Sequence, residues 1–249
     1  MTNATVYDEH AAFYLDFVDE SLANGRLDVT LDALRACLGD RIAGARVCDV
    51  CCGEGYLGRY LLTHGAREVV GVDLSATLVG AARRRADDAR LSYRVDDAHA
   101  LSSIADAEFD VVASQLAMMD VPDHRAMFAA VRRVLKRGGA FVFSLLHPCF
   151  EGRPFHVVDA PAFLVDDAGN PIAYSVRRYA SEGRFQSGGT GVRGRMGSYH
   201  RRVSTYVNDL LAAGFALERL DEPLAGVSAD RSGLFAEVPT VLVVAATAV

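Results

Sequence analysis

VCDVCCGEGYLGRYLL, residues 47–62, is the stretch on which the fold turns. It starts β-branched and apolar, breaks at Gly53 and Gly55, and resumes at Tyr56 with apolar residues at helical spacing. A strand over 46–50 therefore hands over to a helix over 56–63 through a glycine turn. Three readings of the turn compete. Cys48-Asp49-Val50-Cys51 has the spacing of a redox pair or half a zinc site; Gly53 to Gly58 spells G-x-G-x-x-G; and Asp49 is an acid at a strand end followed by small residues, which suits a cationic ligand.

The cysteine reading is the weakest. A redox C-x-x-C needs its first thiolate stabilised at a helix N-terminus, whereas Cys48 falls inside a strand and Asp49 would raise its pKa. A zinc site needs a closed ligand set, and Cys37 and Cys149 lie far off without paired spacing. Small buried residues packing a tight turn is the favoured reading of these thiols. The glycine motif carries more weight, because Asp73 ends the next strand, where an acid can accept from a ribose diol. A nicotinamide-dependent oxidoreductase follows from that motif alone. Asp49 opposes it: a pyrophosphate at the turn would meet a negative charge, while a sulfonium ligand with an amino group would not. Asp97, in the VDDAHAL stretch at 95–101, is placed to accept from an adenine amino group.

Outward from the turn, strands and helices alternate. Strands are expected at 68–73, 91–95, 109–114 and 140–146. Helices are expected at 76–89, capped by Ser75, and at 123–135, stopped by Gly138-Gly139. The N-terminal segment, about 7–38, reads as helical with a break at Gly25. Such alternation means an α/β fold, a doubly wound and mostly parallel sheet, because parallel neighbours need crossover connections. From Pro148 to Ser198 the periodicity dissolves, and GGTGVRGRMG at 188–197 is too glycine-rich to predict a regular element. A helix at 203–213, a strand at 216–220 and an apolar strand from Val238 follow; with only a loop between them, these last two strands are expected to pair as an antiparallel hairpin. One domain over 1–249 is expected, with 1–38 as a helical lid and 148–198 as a cap insertion.

Net charge is −6, from 26 Lys and Arg against 32 Asp and Glu, which argues against general affinity for nucleic acid. No apolar run approaches the ~20 residues of a membrane span, and the first residues lack the basic start and apolar core of a signal peptide. A cytoplasmic protein with reduced thiols, without a nucleic-acid or membrane partner, is expected; an odd count of five cysteines fits that. A small-molecule partner fits best, and a homodimer is compatible.

Taken in order, VCDVCCGEG, VVGVDLS, VDDAHAL and the pair FDVVASQLAM and RRVLKRGGAFVFSLLHP resemble class I S-adenosylmethionine-dependent methyltransferases of the small-molecule group. The resemblance covers about 7–146 and from 199 to the end, with Cys51 where the family most often has its first glycine. It implies a Rossmann-like sheet, S-adenosyl-L-methionine as cofactor, and methyl transfer to an oxygen or nitrogen of a small metabolite, as natural-product biosynthesis would use. It assigns Asp49, Gly53 and Gly55 to the methionine end of the cofactor, Asp73 to the ribose, Leu74 to the adenine face, and Asp97 with Ala98 to the adenine edge. Ser114 and Gln115 would face the methionine moiety. A non-catalytic protein that binds the same molecule is the further alternative.

On the acceptor side, His147 in LLHPCF leaves the fifth strand at the sheet's carboxyl edge and His200 in SYHRR marks the return from the cap. Either could serve as base or hydrogen-bonding group, or simply shape the chain there. In YDEHAAFY at 7–14, Tyr14 is the expected lid contact to the cofactor. Phe150, Phe155, Phe163, Tyr174, Tyr179 and Phe185 would wall the cap. Its cations, Arg177, Arg178, Arg184, Arg193 and Arg195, would suit an acidic or polar substrate.

Overall fold

The computed structural model describes residues 3–150, 163–176, 178–186, 189–224 and 237–249. Three helices open the chain: α1 (Asn3–Glu9), α2 (Ala11–Ala23) and α3 (Asp28–Leu38). The expected break at Gly25 is present, with φ at +71°, and His10 makes a second break between α1 and α2. The alternating part follows as β1 (Arg46–Val50), α4 (Tyr56–Thr63), β2 (Glu68–Asp73), α5 (Ala76–Arg85), β3 (Leu91–Val95), β4 (Phe109–Ser114), α6 (His124–Val134) and β5 (Leu135–Leu146).

Next come β6 (Phe163–Val165), β7 (Pro171–Tyr174), β8 (Gly183–Phe185), α7 (Val192–Met196) and β9 (Ser198–His200); α8 (Val203–Ala212), β10 (Phe215–Asp221) and β11 (Val241–Ala248) complete the chain. The main sheet has the order β10-β11-β5-β4-β1-β2-β3. β1 to β5 run parallel, β11 lies antiparallel to β5, and β10 pairs antiparallel with β11. The chain's last strand thus enters the sheet rather than bordering it. Composition explains the order: VLVVAATA is buried along nearly its whole length, whereas FALERLD leaves charged residues in solvent and belongs at an edge.

Helices cover both faces, so the strands between them are apolar on both sides. On one face α3, α4 and α5 press Leu34, Leu61 and Val79 onto Val47, Val69 and Val111. On the other, α6 and α8 bring Phe128, Val131 and Leu210 against Phe141 and Phe143, whose rings lie 4.9 Å apart. Cys48 and Cys51 pack with this second cluster and Cys52 with the first, so the three thiols do not converge. Burial raises the pKa of all three.

Three expected boundaries need correction. The helix expected at 76–89 ends at Arg85, because Ala86 turns extended and Asp88 folds onto Arg90 instead. The helix expected to stop at Gly138-Gly139 ends at Val134, and β5 starts at once and runs through both glycines. Between Phe109↔Leu135 and Val111↔Ala140 the register shifts, and Gly138 takes the bulge at φ +75°. The glycine-rich stretch at 188–197 contains the short helix α7, with its ends held by Arg195 Nε donating to Thr190 O at 2.8 Å and Arg193 to Gly197 O at 3.1 Å. Ser75 caps α5 as expected, its Oγ accepting from Leu78 N at 3.1 Å.

Candidate functional site

Parallel strands of a doubly wound sheet all end on one edge, and the loops leaving β1, β2, β3 and β4 on that edge enclose a cavity of about 350 Å³, within the range of small-molecule sites. The glycine turn forms its floor. Cys51 adopts φ +62° and Gly53 φ +53°, so Cys51 accepts the left-handed backbone that glycine takes freely, and the turn keeps its shape without it. Gly53 N donates to Asp73 Oδ2 at 2.9 Å and Ser75 N to Asp73 Oδ1 at 2.9 Å, fixing that carboxylate at the tip of β2. Burial pushes the Asp73 pKa up.

Seven of the sequence-derived residues line the cavity: Tyr14, Gly53, Asp73, Leu74, Asp97, Ala98 and Gln115. Tyr14 lies directly on the turn, 3.6 Å from where a Gly53 side chain would begin. Asp97 Oδ1 accepts from His99 N at 2.9 Å and pairs with His99 Nδ1 at 2.6 Å. Gly55 does not line the cavity. It faces β3, where a Cβ would stand 2.5 Å from the Tyr93 hydroxyl, so its role is close helix–strand approach.

Asp49 and Ser114 lie behind the cavity wall, and with Gln115 they form its most unusual feature. Asp49 on β1 is in register with Ala113 on β4, beside Ser114. Both Asp49 carboxylate oxygens, Ser114 Oγ and Gln115 Nε2 are buried without a hydrogen bond of good geometry among the described residues, the Gly58 amide lying near Asp49 and the Tyr56 hydroxyl near Gln115. Burial, then the Asp73 and Glu54 charges, push the Asp49 pKa up to about 8 despite a lowering influence from the Gly58 amide and Arg59. Unpartnered buried polar groups are costly and rare in folded proteins. Acceptor oxygens next to an amide donor and a hydroxyl complement an amino-acid head group, with an ammonium for Asp49 and a carboxylate for the others. Two further carboxylates are held in place by backbone amides, Asp73 at the end of β2 and Asp97 two residues beyond β3. The residues present therefore fit a cationic adenosyl amino acid.

His147 and His200 do not line this cavity. His147 Nε2 pairs with Glu222 Oε1 at 2.7 Å, Nδ1 accepts from Cys149 N at 3.1 Å, and desolvation lowers its pKa despite Glu222. His200 Nε2 donates to Tyr179 O at 2.9 Å. Aromatics from 148–198 gather around both rings, Phe150 at 4.8 Å from His147, and Tyr179 at 5.8 Å and Phe185 at 6.5 Å from His200. Arg184 donates to Met196 O at 3.2 Å. Phe155, Arg177 and the Phe163 side chain lie outside the described residues.

The amphipathic YDEHAAFY pattern makes Tyr7 apt to cover an apolar surface, and it does line the cavity, whereas sequence reasoning missed His99 and Asp120 in its wall. Tyr7 on α1 packs edge-on to Tyr14 on α2 at 5.3 Å, across the break at His10. His99 sits two residues beyond Asp97, the spacing of a turn in which an aspartate binds the second amide ahead. Asp120 had no local signal. Among the described residues no group of three or more His, Cys, Asp or Glu side chains could hold a metal ion, and no helix is long and apolar enough to cross a membrane.

Residues 47–139 match a family model described as a methyltransferase domain. The crystal structure of an S-adenosylmethionine-dependent methyltransferase from Mesorhizobium loti is 31% identical, covers 87% of this chain and 96% of its own, and superposes with a TM-score of 0.72. Two ubiquinone biosynthesis O-methyltransferases, from Methylococcus capsulatus and Azoarcus, are 35% and 36% identical over 125 residues, 49% of this chain. The matched region spans about half the length of those two relatives, 52% and 53%.

Proposed function

The chain belongs to the S-adenosylmethionine-dependent methyltransferases, and from that premise we propose that it methylates an oxygen or nitrogen of a small metabolite, with the cavity beside β1 to β4 as the donor site. The observation that carries the donor assignment is the unpartnered set of Asp49, Ser114 and Gln115 behind the glycine turn. Asp49 would hold the amino group, Gln115 and Ser114 the carboxylate, Asp73 the ribose hydroxyls, Asp97 and Ala98 the adenine edge, and Leu74 its face. Tyr14 and Tyr7 would cover the donor from the lid. A nicotinamide cofactor is set aside, since the buried Asp49 carboxyl behind the glycine turn offers its pyrophosphate no donor or cation.

When bound, the donor supplies a methyl group on a positively charged sulfur, already activated for displacement. The protein's own contribution is alignment and exclusion of water. Tyr7, Tyr14, Leu116 and Val121 wall the cavity for that purpose. A base matters only for an acceptor that arrives protonated. Acceptor choice is assigned to residues 148–198, with His147 and His200 holding the cap's aromatic walls; His147 Nδ1 would have to release the Cys149 amide to act as a base. Oxygen is the favoured acceptor atom, supported by the O-methyltransferase relatives. The test is transfer of tritiated methyl to a panel of phenols, hydroxy acids and amines. Label in a phenol or hydroxy acid is expected. Label in amines only would overturn the choice of oxygen, and donor binding without transfer to any of them would leave a binding protein.

A further inference from the structure

α7 is where the cap meets the lid. Arg193 on α7 grips Asp120 with both terminal nitrogens, Nη1 to Oδ1 and Nη2 to Oδ2, the second at 3.2 Å. Asp120 lines the donor cavity, and its carboxylate also accepts the hydroxyl of Tyr7 on α1. Tyr7 in turn packs on Tyr14, and Tyr14 on the glycine turn. Two residues along α7, the Arg195 guanidinium lies over the Phe13 ring of α2 at 4.2 Å. One short cap helix thus contacts an acid of the cavity wall and an aromatic of the lid, and α1 is fixed from its other side by Asp8, which accepts from Ser75 Oγ at 2.5 Å and Thr77 N at 3.2 Å.

A two-point guanidinium–carboxylate pair is directional, and ammonium cannot reproduce its fork. The Arg193 and Asp120 side chains are only 24% and 16% exposed, so the pair is sheltered from the screening that weakens surface pairs. The Tyr7 hydroxyl shares the same carboxylate. Losing Arg193 therefore removes the two-point brace on Asp120 and loosens the anchor of the lid tyrosine.

We propose that Arg193 is a positioning residue that bolts the N-terminal lid over the occupied donor cavity through Asp120 and Tyr7, so that bound donor and demethylated donor leave only when the cap lets go. The proposal rests on the donor-site reading above. It implies an order: donor enters before the cap engages acceptor, and S-adenosylhomocysteine leaves last.

The test uses the full chain loaded with tritiated S-adenosylhomocysteine and chased with unlabelled ligand. Arg193→Met should speed release by about tenfold or more while the association rate changes by less than about threefold, the usual division of effects between the two rates. Arg193→Lys, which keeps charge but loses the fork, should release at an intermediate rate. Asp120→Asn should match Arg193→Met, and the double variant should add little to either single one. Melting curves accompany each variant, and if Arg193→Met does not fold, Asp120→Asn and Arg193→Lys carry the same comparison. Release at the wild-type rate in the folded variants would overturn the bolt while leaving the donor site standing. Additive effects in the double variant would also overturn it. Wild-type protein that retains no ligand would remove the donor-site reading, and the bolt with it.

Discussion

At the scale of single residues, Asp49 carries the sharpest consequence. A carboxyl whose folded pKa is pushed up to about 8 keeps a proton that the unfolded chain has lost above about pH 4. The stability contributed by that protonated form is complete below pH 4 and disappears as pH rises through 8. Asp49→Asn should therefore raise the melting temperature of the ligand-free protein at pH 8 by about 2–4 °C or more, with little gain at pH 4. The same change should weaken binding of S-adenosylmethionine by about a hundredfold, since an amide cannot balance a buried cation. A variant that melts lower at pH 8 and binds donor normally would remove Asp49 from the site. Asp73→Ala has a different signature, because its carboxylate also accepts from Gly53 N and Ser75 N. Donor affinity should fall by about 1–3 kcal/mol and the turn should loosen, and calorimetry showing unchanged affinity would contradict the ribose assignment.

At the scale of elements, β2 and β3 approach each other through missing side chains. A Cβ on Gly71 would stand 2.5 Å from Tyr93 Cδ1 and 2.9 Å from Cys52 Sγ, so Gly71→Ala forces the ring and the glycine turn apart. About 1–3 kcal/mol of destabilisation is expected from overpacking, read as a lower denaturant midpoint. An unchanged midpoint would mean that the turn is looser than this packing implies. The elements that the sequence made legible are those with strong local signals. β1, β2 and β4 are β-branched runs ended by glycine or polar turns, and Ser75 announces α5. Less legible were features set by partners far along the chain. The start of β5 at Leu135 depends on pairing with Phe109, which outweighs the helix signal and the glycines after it. α7 depends on carbonyls and side chains folding back on a glycine-rich stretch. The candidate site divides the same way: Asp49, Asp73 and Asp97 lie at or just beyond the ends of β1, β2 and β3 and were visible, whereas Asp120 reaches the cavity only through the tertiary fold.

At the scale of the whole molecule, the sheet presents its acids along one edge, and the acidic net charge of −6 is consistent with a cationic ligand. S-adenosylhomocysteine should raise the melting temperature and NAD should not, because only a molecule that binds the folded state shifts unfolding. Equal shifts from both would reopen the dinucleotide reading.

The most direct test of the donor site follows the Asp49 proton. With a ligand-free pKa of about 8, this carboxyl is mostly protonated at pH 7, and a bound ammonium would drive the proton off. Titrating S-adenosylmethionine at pH 7 in two buffers of different ionisation enthalpy should show release of close to one proton per donor, with release abolished in Asp49→Asn. Tight binding with no proton released by the wild-type protein would contradict the account.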